Sequence, residues 1–116
     1  MELVALLSSG KGSWAQVSGL INNGEWDNII LVGDSFAEKF TTNKPHEFIK
    51  VDTSKTLKEL KDLIMLKIKG KIKGLEVALS IASGDGKEHM ALISSLLSLP
   101  VGIRFAALTR DGIIYL

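Results

Sequence analysis

The sequence predicts one α/β domain: a mostly parallel sheet between two helical layers, closed at its C-terminal edge by an antiparallel hairpin. Three observations carry this. Short apolar runs alternate with amphipathic segments that open on capping residues, the first run is apolar throughout, and an Asp-Gly pair separates the last two runs. With 116 residues and 12.6 kDa the chain makes one domain, residues 1–116, and not two.

Leu3 to Leu7 is the first strand, and its unbroken apolar character suits a strand covered on both faces. Ser8, Ser9 and Gly10 break it. Ser13 with Gln16 reads as a capping box opening a helix whose Trp14, Val17, Leu20 and Ile21 share one stripe, and Asn22, Asn23 and Gly24 stop it. Ile29 to Val32 is the second strand. Ser35 with Glu38 repeats the box before a short helix carrying Phe36 and Phe40, which Pro45 ends. Phe48 to Val51 is the third strand, after which Thr56 with Glu59 caps a helix bearing Leu57, Leu60, Ile64 and Ile68 at helical spacing, closed by Gly70 and Gly74. Val77 to Ala82 is the fourth strand, and a very apolar helix from about Lys87 to Leu99 stops at Pro100. Ile103 to Leu108 is the fifth strand. Asp111 and Gly112 form the hairpin turn that returns Ile113 to Leu116 along the sheet edge.

Right-handed crossovers place three βα units to one side of the first strand and start the fourth strand on its other side, giving the order 3-2-1-4-5-6. Ligands of such sheets bind beyond the carboxyl ends of the strands at the switch point, here between the first and fourth. The loops Ser8-Ser9-Gly10-Lys11-Gly12-Ser13 and Ser83-Gly84-Asp85-Gly86-Lys87 follow those two strands. They should face one crevice, each ending at a helix N-terminus with a lysine nearby, a setting suited to phosphate. The candidate ligand contacts are Ser8, Ser9, Gly10, Lys11, Ser83, Gly84, Gly86 and Lys87. Neither loop completes an ATPase P-loop or a dinucleotide fingerprint.

Composition excludes other classes. Fourteen Lys and Arg against thirteen Asp and Glu leave a net charge of +1, too little to funnel duplex nucleic acid or an anionic membrane. The absence of cysteine removes disulfides and thiolate chemistry, and His46 and His89 lack zinc-ligand spacing, so neither a metal nor a cofactor is expected. The N-terminal apolar run is too short for a signal segment or a membrane span, which points to a cytoplasmic protein. A mean hydropathy of +0.23 is high for a small monomer and calls for a partner.

The fourth strand, followed by Ser83-Gly84-Asp85-Gly86-Lys87 and a helix beginning Glu88-His89-Met90, resembles the CARF domain of CRISPR-associated proteins. That family carries a Ser/Thr-Gly-Gly-Thr-Lys pattern there. The resemblance implies a three-layer Rossmann-like domain, homodimeric, binding cyclic oligoadenylate through the loops after the first and fourth strands, with ring cleavage in some members. It would put Ser83, Gly84 and Lys87 on the ligand, joined by Ser8, Ser9 and Gly10. Asp85 and Gly86 depart from the pattern, and a carboxylate at Asp85 repels phosphate unless turned away or paired with Lys87.

No catalytic residue is assigned. His89, near a helix start at the crevice, is a candidate acid or base, against the commoner surface or capping histidine. Lys87 is a candidate phosphate contact against a solvated lysine, and Glu88 reads most simply as a charge favoured by the helix dipole. Trp14 fits core packing better than base stacking, and Lys67, Lys69, Lys71 and Lys73 read as a solvated helix end rather than a nucleic-acid grip. Two functions follow. The first is a small nucleotide-binding module, a sensor or degrader of cyclic oligoadenylate or a related phosphorylated ligand; the alternative is a non-catalytic oligomeric interaction or scaffold protein. The apolar helix at 90–99 and the chain end Ile113-Ile114-Tyr115-Leu116 predict a homodimer using one of them.

Overall fold

The computed structural model describes residues 1–9 and 13–116. In chain order the elements are β1 (Glu2–Leu7), α1 (Trp14–Asn23), β2 (Ile29–Gly33), a 3-10 turn (Phe36–Lys39), β3 (Glu47–Lys50), α2 (Leu57–Ile68), β4 (Glu76–Ser80), α3 (Gly86–Ser98), β5 (Gly102–Thr109) and β6 (Gly112–Tyr115). The six strands lie in the order β3-β2-β1-β4-β5-β6, with only the β5–β6 pair antiparallel. This is the expected Rossmann-like topology, with β1 and β4 adjacent at its centre.

Every residue of β1 is buried, because its alternate side chains enter two separate cores. Val4 and Leu6 meet Leu60, Ile64 and Ile68 of α2 and Leu92 and Leu96 of α3. Leu3, Ala5 and Leu7 face Val17, Leu20 and Ile21 of α1 on the opposite side, where Trp14, Phe40 and Phe48 pack around the margin. Truncating one of the enclosed leucines to alanine, such as Leu6 or Leu79, costs about 2–5 kcal/mol.

Local signals succeed or fail according to what else reaches the side chain. Thr56 and Glu59 form the expected capping box at α2. Ser13 makes no side-chain cap bond, because Gln16 is turned to β5: its Nε2 donates to the Leu108 carbonyl at 2.9 Å, and its Oε1 accepts from Leu108 N at 3.1 Å. The second expected box also fails. Asp34, not Ser35, receives the Ala37 N–H at 3.1 Å, and Glu38 pairs with Lys50 at 3.2 Å, so the segment forms only a 3-10 turn. A box outside the expected ones caps α3, where Asp85 accepts from Glu88 N and Glu88 accepts from Asp85 N, each at 2.9 Å. Gly86 is therefore the first helical residue, and β4 ends at Ser80 rather than Ala82. At the C-terminal hairpin the turn is Arg110–Asp111. Gly112 pairs with Thr109 as the first residue of β6 and takes the positive φ of 111° that a side chain would resist.

Candidate functional site

The carboxyl ends of β1 and β4 are joined by a direct bond: Ser8 N donates to Ser83 Oγ at 2.8 Å. Ser8, which opens the first loop, thus meets Ser83, which opens the second, and Ser83 is 1% exposed. Gly84 follows with φ 101°, and a Cβ there would lie 2.4 Å from Leu6 Cδ2 and 3.0 Å from Glu88 Oε1. Only glycine lets the chain turn over the end of β1 at that distance.

Around this turn lies a small polar cluster. His89 Nε2 is 2.8 Å from the Ser83 carbonyl, and a carbonyl only accepts, so Nε2 carries the proton and donates. Glu88 is 6% exposed; its Oε1 accepts from Asp85 N, while among the described residues Oε2 has only the Ser8 hydroxyl, at 3.5 Å. That length is at the limit of a hydrogen bond, so Oε2 retains acceptor capacity. Trp14 borders the cluster by donating its indole N–H to the Ser8 carbonyl at 2.7 Å and packs on Phe36 and Phe40, as a core tryptophan does.

The charged residues of the second loop are occupied. Lys87 Nζ donates to the Thr53 and Lys55 carbonyls, both at 2.8 Å, and so ties the start of α3 to the β3–α2 loop. It is neither a solvated lysine nor an ammonium standing clear at the loop. Asp85, as N-cap, puts its carboxylate where the helix N-terminus would otherwise receive an anion. Gly86 has open space around its Cα, and Ser9 is exposed beside Ser8. Gly10 and Lys11 lie outside the described residues.

Clefts open at both ends of the sheet. One of about 560 Å³ opens at the carboxyl ends of β2 and β3, lined by Asp34, Lys50, Asp52, Thr53 and Lys67 among others. Ser54 donates to Asp52 through both its hydroxyl and its N–H, which holds that carboxyl below its ordinary range. Another, about 770 Å³, opens at the amino end between Trp26, Lys44, His46 and Lys71. It is wider but far from the switch point, and its lysines are engaged: Lys44 donates to the Ile21 and Gly24 carbonyls, and Lys71 pairs with Glu47 at 2.8 Å.

Sequence reasoning missed the internal role of Lys87 and one further residue, Glu2, buried at the amino end. Its carboxylate accepts from Gly74 N at 2.6 Å, Lys73 N at 2.9 Å and Asn28 Nδ2 at 3.1 Å. Burial pushes its pKa up, but these donors outweigh it and hold the carboxyl below its ordinary value. Among the described residues no group of three or more His, Cys, Asp or Glu is placed to hold a metal ion, and no helix is long and apolar enough to cross a membrane. No protein-family model matches the chain, and no curated protein matches it.

Proposed function

We propose that the chain is a cytoplasmic, homodimeric nucleotide-binding module, taking a cyclic oligoadenylate or a related phosphorylated ligand at the β1–β4 switch point. The observation that supports this reading most is the Ser8–Ser83 bond, which unites both loops where sheets of this topology receive ligands. The resemblance of the second loop to the CARF pattern points the same way. In this reading the second loop contributes its backbone turn at Gly84 and hydrogen-bonding groups rather than a free lysine. Glu88 Oε2 accepts from a ribose hydroxyl or an adenine amine, and a phosphate drawn to Lys87 competes with the Thr53 and Lys55 carbonyls.

Melting in the presence of nucleotides and cyclic oligoadenylates tests it. A ligand at a hundredfold excess over its Kd adds about 2.7 kcal/mol of stability, a rise of several degrees. An unchanged Tm across the panel removes the reading and favours the second one, a scaffold whose loops are only turns. A specific observation also favours that scaffold: Met90, Leu97, Ile114, Tyr115 and Leu116 are 40–78% exposed, an apolar surface that assembly would cover.

A further inference from the structure

The two edges of the sheet are protected unequally. At β3, Glu47 is paired with Lys71 and Lys50 with Glu38, and Pro45 precedes the strand. Charges and proline at an edge discourage pairing with another chain. At the opposite edge β6 reads Gly112-Ile113-Ile114-Tyr115, with neither charge nor proline.

The register on β5 fixes which backbone groups of β6 face outward. Leu116 N donates inward to the Phe105 carbonyl at 2.8 Å, and antiparallel strands alternate hydrogen-bonded with non-hydrogen-bonded positions. Gly112 and Ile114 share the phase of Leu116, so Ile113 and Tyr115 turn their N–H and C=O groups away from β5. Ile114, opposite Ala107, projects to the α3 side of the sheet, the side on which Ile103 and Phe105 pack.

We infer that β6 pairs antiparallel with β6 of a second copy about a two-fold axis through Ile114. This rests on the homodimer reading and adds its geometry. With the axis there, Ile113 faces Tyr115 of the second copy and Tyr115 faces its Ile113, so every outward group of both strands finds a partner. Ile114 meets its own copy at a non-hydrogen-bonded position. Centring on Ile113 or on Tyr115 instead leaves an outward residue without a partner inside the strand. A neutral strand has nothing to select a charged partner and is complementary to itself. A strand edge alone falls short of the roughly 800 Å² per partner that a stable interface buries. The side chains of Ile114, Tyr115 and Leu116, 40–78% exposed along the same edge, extend the surface.

The chain has no cysteine, so single-cysteine variants report the register directly. At a non-hydrogen-bonded pair the two Cα atoms are about 4.5 Å apart, within disulfide reach, whereas residues 113 of the two copies would be about 8 Å apart. Mild oxidation should convert most of Ile114→Cys to covalent dimer and leave Ile113→Cys uncrosslinked, and Ile114→Lys should shift sedimentation toward monomer with Tm retained. If the wild type sediments as a dimer but Ile114→Cys does not crosslink, or Ile113→Cys crosslinks equally, the edge pairing is wrong and the dimer reading survives. A wild-type monomer at high micromolar concentration removes both.

Discussion

Two buried glutamates sit at opposite ends of the central strands, and they differ in how fully their oxygens are used. Glu2, at the amino end of β1, receives N–H groups from Lys73, Gly74 and Asn28. Glu88, beside the carboxyl ends of β1 and β4, receives one N–H and one long hydroxyl contact among the described residues. A saturated carboxylate is a clamp: it fixes the chain entering β4 against β1 and has nothing left to offer. An undersaturated one, buried beside a glycine turn and two serines, can still receive a donor from outside. Burial alone does not separate structure from site; the count of satisfied lone pairs does.

The largest expected effect is at the turn over Glu88. Gly84→Val forces a β-branched residue to φ 101° and drives its Cβ into Leu6, which should cost about 3–5 kcal/mol in chemical denaturation. A cost below about 1 kcal/mol would mean that the turn has slack and the site is not preorganised. Next is the clamp itself. Glu2→Gln replaces a charged acceptor by a neutral amide and should lose about 1.5–3 kcal/mol. Because the folded-state pKa of Glu2 is depressed, its stabilisation is complete above the unfolded-state value and is lost as pH falls through the carboxylate range. Wild-type stability should therefore decline in acid with a component from Glu2, and Glu2→Gln should flatten that part of the profile. Equal acid slopes for the two proteins would contradict the clamp.

How much of this was legible depends on the range of the interactions. Strand order followed from apolar runs and crossover hand, and the Thr56–Glu59 box from neighbours three residues apart. Ser13 with Gln16 and Ser35 with Glu38 carry similar letters, but Leu108 and Lys50 draw off Gln16 and Glu38 from distant parts of the chain. The same reach explains Lys87, whose acceptors are backbone carbonyls 34 and 32 residues away. Glu2 left no signal because its main partners are backbone N–H groups 71 and 72 residues on, and a backbone amide has no letter. The Asp85–Glu88 box was within local reach. Its letters overlap a loop pattern that resembles a phosphate-binding one, in which Asp85 stands as a departure, and the two roles of the same residue are not separable by local spacing.

Smaller effects sharpen the contrast. Lys87→Ala removes a cation that bridges two loops and should cost about 1 kcal/mol, whereas Lys58→Ala, at an exposed pair with Asp62, should stay within about 0.5 kcal/mol. Equal costs would show that the Lys87 tie is not held in solution. At the candidate site, Glu88→Gln keeps an acceptor for Asp85 N and should cost less than about 1 kcal/mol, clearly less than Glu2→Gln. If the two glutamine variants cost the same, the distinction between clamp and site fails.

Ligand-dependent melting of three proteins tests the assignment of the carboxyl end most directly: the wild type, Ser8→Ala at the switch point, and Lys71→Ala at the amino-end cleft. A cyclic oligoadenylate should raise the wild-type Tm by several degrees at a hundredfold excess over Kd, with the rise kept in Lys71→Ala and diminished in Ser8→Ala. No rise in the wild type, or a rise lost in Lys71→Ala and intact in Ser8→Ala, would contradict it.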